Sequence, residues 1–307
     1  MRNTFVAALT ELAERNPNLW LLCGDLGFSV LEHFASRIPE RYVNVGVAEQ
    51  NMAGVAAGIA LSGKTVFIYS IGNFSTFRCL EQLRNDVCYH GADVKVVSVG
   101  AGFAYGSQGY THHAIEDVAV MSALPGMEVF VPCDPHEVRT ITTAIATSGR
   151  PSYLRLSRSG EPVLAGSEAW EPRTPRVLRQ GRDVVILASG PIASACLEAA
   201  EVLASEMAVG VVSAACLKPL DEGFVRELAG EARAIVTVEE HIARGGLYAA
   251  VATCLAAARG RPPVFGLAIP EVAGKISTAG DRDALLARAG LSAAAIAQRI
   301  RNAIGGL

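Results

Sequence analysis

The residue with the clearest chemical potential is Glu49, in the run Val45-Gly46-Val47-Ala48-Glu49-Gln50-Asn51-Met52. A short β-branched run breaks off at Asn44-Val45-Gly46, and an apolar run from Met52 to Leu61 follows. The carboxylate therefore sits where a strand ends and a helix begins, the edge at which open α/β sheets bind ligands. The plain alternative is a first-turn glutamate favoured by the helix dipole. Gly54 and Gly58 recur four residues apart on the same helix, which lets something pack close to its backbone. Three other side chains have chemistry to offer. His112 can donate or accept a proton near neutral pH, although a lone loop histidine is usually just solvated. Arg158 carries a bidentate fork suited to phosphate. Phe77 offers a ring for offset stacking, or is simply core. The seven cysteines show no C-x-x-C spacing and mostly lie in apolar runs, so they read as small buried hydrophobes rather than a zinc site.

These groups need a scaffold, and the chain is long enough to supply one. Its 307 residues have room for two domains, and a composition that is 50% hydrophobic and 19% charged supports a sizeable core. A net charge of −3 gives no case for nucleic acid or an anionic membrane. No apolar run reaches membrane length and Met1-Arg2-Asn3-Thr4 opens no signal-peptide core, so a reduced, cytoplasmic protein is expected. Helical and strand patterns alternate throughout, the signature of parallel sheets covered on both faces. The expected fold class is α/β, with two doubly wound domains of mainly parallel strands. The first spans 1–165, with strands near 19–23, 42–45, 65–69, 94–99, 127–131 and 153–156 and a helix over 74–88. Residues 166–181, where Gly, Pro, Glu and Arg replace the pattern, read as a linker. The second domain spans 182–307.

The segment Gly46-Val47-Ala48-Glu49-Gln50-Asn51-Met52-Ala53-Gly54-Val55-Ala56-Ala57-Gly58 resembles the cofactor-activating segment of transketolases and 1-deoxyxylulose-phosphate synthases. The resemblance covers essentially the whole chain as a pyrimidine-binding plus a C-terminal domain. Leu217-Lys218-Pro219-Leu220-Asp221 and Val238-Glu239-Glu240-His241-Ile242-Ala243-Arg244-Gly245-Gly246 extend it into the second. It implies thiamine diphosphate as cofactor, with Glu49 hydrogen-bonded to N1′ of the aminopyrimidine so that the cofactor's own imino group generates the C2 ylid. Ser75-Thr76-Phe77 is similar to the family motif whose phenylalanine stacks on that ring. Leu80 and Leu83 stand where transketolases carry aromatics, a gap that Phe74 could fill. Gly109-Tyr110-Thr111-His112-His113-Ala114-Ile115-Glu116 resembles the segment whose histidine contacts ketose oxygens, which implies that role for His112 and none for His113.

Departures from the family pattern fall at the sugar end. Gln108 replaces an aspartate that reads hydroxyl configuration, and Gly100 replaces a phosphate-binding histidine. Arg158 matches the phosphate-binding arginine, and Arg2 and Ser29 fall where two other phosphate ligands lie; their plain readings are a disordered terminus and a helix cap. The family's Gly-Asp-Gly…Asn motif for diphosphate and Mg2+ has only a decoy here, Gly24-Asp25-Leu26 with Asn51 downstream. Leu26 removes the glycine that lets backbone approach phosphate. Asp25 and Leu26 are retained only as residues bordering the cofactor. The resemblance thus implies the C-terminal subunit of a split transketolase. A separate N-terminal subunit would supply the diphosphate and Mg2+ site, with two copies of each chain. The alternatives are a 2-oxo-acid dehydrogenase beta subunit, which Phe77, His112 and Arg158 fit less well, and a non-catalytic assembly subunit.

Overall fold

A computed structural model of the chain describes residues 1–164, 170–271 and 278–305; residues 166–169 of the expected linker lie outside that range. The first half runs α1 (Arg2–Arg15), β1 (Leu19–Cys23), α2 (Glu32–Arg37), β2 (Tyr42–Asn44), α3 (Glu49–Leu61) and β3 (Thr65–Ile71). It continues with α4 (Gly72–Thr76), α5 (Leu80–Gln82), β4 (Val94–Val99), α6 (Asp117–Ala123), β5 (Glu128–Phe130), α7 (Pro135–Ile145) and β6 (Ser152–Leu156). The second half holds β7 (Arg176–Arg179), β8 (Val184–Ser189), α8 (Ala193–Val202), β9 (Val209–Ser213), β10 (Cys216–Lys218) and α9 (Glu222–Glu231). It closes with β11 (Ala234–Ile242), α10 (Leu247–Leu255), β12 (Val264–Ile269), α11 (Arg282–Arg288) and α12 (Ala293–Ile304).

Two sheets result, ordered β10-β5-β6-β4-β3-β1-β2 and β12-β11-β8-β9-β7. All pairings are parallel except those of β10 and β7, which run antiparallel at one edge of each sheet. Central strands are buried along their length, as in β4 and β8, because helices cover both faces. Their Val-rich runs are the sequence trace of that burial. No described helix is long and apolar enough to cross a membrane.

Four expectations need correction. The apolar pattern over 74–88 is not one helix. It breaks into α4, a tight turn at Phe77–Cys79, α5, and a wide π turn over Leu83–Cys88. Ser75 and Thr76 hydroxyls donate to the Ile71 and Gly72 carbonyls at 3.1 and 2.7 Å, local bonds that compete with a regular ladder. The expected linker ends in a strand, since β7 pairs with β9 at the sheet edge, where polar residues are tolerated. The second half also returns β10 to the first sheet beside β5. Finally, among the described residues no atom beyond the helix's own neighbouring backbone lies within 4 Å of the place a side chain would take at Gly54 or Gly58, so none of them uses the close approach.

Candidate active site

Glu49 is the first residue of α3, and its carboxylate is buried to 4% exposure. The helix has no side-chain cap at Ala48, so its first turn favours an acidic residue. The loop beneath is built from two strand ends. Asp25 and Asn44, after β1 and within β2, bond to each other through backbone and side chain at 3.1 and 3.0 Å, and Asn44 also receives the Gly46 amide at 3.0 Å. Asp25 and Ser29 both have positive φ, 56° and 62°, strain that a loop holds only when its surroundings over-determine it. Ser29 is not the cap of α2; Glu32 reaches back to accept its amide at 2.6 Å. Leu26 is partly buried against the apolar cluster beneath the loop.

The partner of Glu49 is a residue outside every motif named above. Nη1 of Arg78 lies 3.3 Å from both Glu49 carboxylate oxygens. Its guanidinium stacks 3.8 Å over the Phe74 ring, and that ring meets His112 edge-on at 5.2 Å. Asn73 secures the arrangement by donating to the Thr111 and His113 carbonyls, both at 3.1 Å. Desolvation, then Arg78, then His113 lower the His112 pKa from the ordinary histidine value, which favours neutral imidazole. His113 is fully buried against Phe103, with Nε2 3.1 Å from the Gly106 carbonyl, so it holds the loop. Phe77, one residue before Arg78, is 41% exposed. Leu83 is fully buried in the core, whereas the Phe74 ring is engaged by Arg78 on its face and by His112 at its edge.

Arg158 and Arg2 are joined to each other. Arg158 lies 5.6 Å over the Tyr105 ring and reaches the Ala104 carbonyl at 3.4 Å. The Arg2 amide donates to the Arg158 carbonyl at 2.9 Å, and the Met1 amino group pairs with Glu161 at 2.8 Å, so this terminus is ordered as the start of α1. Gly100 has φ of 98°, and a Cβ there would fall 2.4 Å from Cδ2 of Tyr105. The tyrosine ring therefore fills the space beside the position where the family carries a histidine. Arg158 also borders a cavity of about 360 Å³ with Arg282 and Ser194 from the second half. Gln108 is exposed.

Deeper in the molecule, ion pairs serve structure. Asp117 is buried and takes Arg155 Nε at 2.8 Å and the Tyr153 hydroxyl. Against the push of burial, the Arg155 guanidinium holds the Asp117 carboxyl below the usual range. Arg155 also donates to the Ala114 and Glu240 carbonyls, tying β6 to β11. Cys133, Asp134 and Glu137 have ligand atoms within 4.8 Å of one another, as a metal site would. The cation there is Arg176, 2.8 Å from Asp134 and 2.9 Å from Glu137. That cluster does not fit magnesium.

The geometry defines a class: two α/β lobes with a buried glutamate at the carboxyl edge of the first sheet and an aromatic and imidazole group next to it. Residues 1–162 match the family described as "Transketolase, pyrimidine binding domain", and 174–296 match "Transketolase, C-terminal domain". The chain belongs to the transketolase family. It is 35% identical over 305 residues to the "Putative transketolase C-terminal section" of Methanocaldococcus jannaschii, covering 98% of this chain and 95% of that one. It is 34% identical to one of the subunits of the apulose-4-phosphate transketolase of Phocaeicola vulgatus, covering 88% and 87%. A solved split-gene transketolase described as an inactive beta4 tetramer superposes with a TM-score of 0.88 at 38% identity, over 99% of this chain and 97% of the other. These relatives place the chain with the separate C-terminal halves of transketolases and not with 2-oxo-acid dehydrogenases.

Proposed function

We propose that this chain is the C-terminal subunit of a thiamine-diphosphate-dependent transketolase, moving a two-carbon ketol unit from a ketose to an aldehyde acceptor. The observation that carries the reading is Glu49, a buried carboxylate at a helix start whose described partner is one half-exposed arginine. That arrangement fits an aminopyrimidine: an acidic oxygen for a ring nitrogen, with Phe77, exposed and one residue before Arg78, as the ring to stack on it. When bound, the cofactor supplies the nucleophilic carbon that takes up the ketol unit. Glu49 holds the proton shared with the pyrimidine ring. Neutral His112 exchanges a proton with ketose oxygens, and Arg158, aided by Arg2 and Ser29, reads a terminal phosphate.

Diphosphate and Mg2+ would be held mainly by a separate N-terminal subunit, in an assembly with two copies of each chain. The description of the solved relative, an inactive tetramer of one chain type, agrees with a need for that second subunit. We also place the protein in the cytoplasm, acting on sugars in carbohydrate metabolism. The test is reconstitution with the partner chain, thiamine diphosphate and Mg2+ against ketose donors and an aldehyde panel. Ketol transfer that needs both chains is expected; a complex that binds the cofactor without turnover would leave only an assembly role.

A further inference from the structure

The carboxylate assigned to the cofactor is already taken. Nη1 of Arg78 stands 3.3 Å from both oxygens of Glu49, so one nitrogen straddles the edge a ring N–H would approach. Among the described residues no other donor hydrogen-bonds that carboxylate. The two partners are unequal. Glu49 is 4% exposed, whereas the Arg78 side chain is 48% exposed and rests its guanidinium on Phe74. Charge-assisted bonds in good geometry run at about 2.7–2.9 Å. This one is longer and shared, so it neutralises Glu49 without holding Arg78 tightly. Phe74 gives the guanidinium a second resting place through its ring face.

We propose that Arg78 is a stand-in counter-ion. It satisfies Glu49 while the chain is empty and surrenders the carboxylate when the aminopyrimidine binds. The logic is electrostatic: a buried carboxylate with no partner is costly, while an arginine at the surface moves at little cost. Cofactor binding is therefore an exchange of one Glu49 partner for another. Arg78 is a positioning residue, and its presence weakens cofactor affinity while protecting the empty fold. The proposal rests on the reading of Glu49 given above.

Arg78→Leu removes the cation and keeps bulk, and Arg78→Lys keeps the cation. Calorimetric titration of the reconstituted complex with thiamine diphosphate and Mg2+ should show Arg78→Leu binding about fivefold tighter than wild type, the worth of one exposed ion pair. Thermal unfolding of the empty Arg78→Leu chain should occur at lower temperature, with Arg78→Lys close to wild type in both measurements. In a Glu49→Gln background, where no charge needs a partner, Arg78→Leu should leave cofactor affinity unchanged. Weaker or equal binding by Arg78→Leu in the Glu49 background would overturn the proposal, because an arginine that supports the loaded site gives that result. If Arg78→Leu does not fold, Arg78→Gln replaces it under the same criteria. Failure here is separable from failure of the proposed function. That reading falls if Glu49→Gln exchanges the cofactor C2 proton as fast as wild type, whatever Arg78 does.

Discussion

Two carboxylate–arginine pairs in the first lobe have opposite characters. Asp117–Arg155 is sealed: both side chains are buried, the closest contact is 2.8 Å, and the guanidinium also serves two backbone carbonyls. Glu49–Arg78 is half open: the acid is buried, the base is not, and the contact is 3.3 Å. Every bond of the first pair joins parts of this chain, so it resists change and fixes the lobes together. The second leaves the acid one loosely held partner, as suits the cofactor-binding role proposed for it. Residue type does not separate structure from chemistry here; the completeness of the hydrogen-bonding does.

The largest expected effect sharpens that contrast. Glu49→Gln should leave fold and assembly intact while ketol transfer falls about 10²–10⁴-fold, the range for one acid–base contact. The loss should appear in kcat more than in substrate affinity. Hydrogen–deuterium exchange at C2 of the bound cofactor reads the step directly, and unchanged exchange would make Glu49 a helix-start residue only. The sealed pair should behave the other way. Arg155→Ala leaves Asp117 buried and unpaired and should cost about 3–5 kcal/mol of stability, measured by denaturant unfolding. A loss below about 1 kcal/mol would show that the pair is not the tie it resembles.

A third effect is selective. Arg158→Ala should weaken phosphorylated substrates by on the order of 2 kcal/mol and hardly touch unphosphorylated ones. Equal losses would separate Arg158 from phosphate reading. The smallest effect concerns pH. Arg78 helps lower the His112 pKa, so its removal should raise that pKa and move the acidic limb of kcat/KM to higher pH. Rate profiles of wild type and Arg78→Leu that coincide on the acid side would break the electrical link between the two residues.

How much of this was legible in the sequence differs between the same two regions. The strand-to-helix turn before Glu49, the glycine-rich loop with His112 and the alternating α/β order were readable because they are local patterns. Arg78 was not, because an arginine inside an apolar stretch looks like the wet side of a helix. Its direction depends on the turn at Phe77–Cys79, which interrupts α4 and α5. Tyr105 was equally hidden, since nothing local says that its ring will settle against Gly100. The strands β7 and β10 escaped for a related reason. Both are short edge strands whose partners lie far along the chain, and pairing across such separations leaves little trace in composition.

The return of β10 to the first sheet limits how the polypeptide can be cut. Residues 1–162 match one family domain, yet Glu128–Phe130 draw their outer neighbour from Cys216–Lys218. A shortened protein ending near 162 would expose Val129 and Phe130 along a bare backbone edge, an invitation to sticking between copies. Lys218 would also be missing from the Ser122 carbonyl that it reaches at 2.7 Å. Modules recognised by similarity are therefore not modules for dissection here: an engineer who wants either half needs both, or must first redesign the edge.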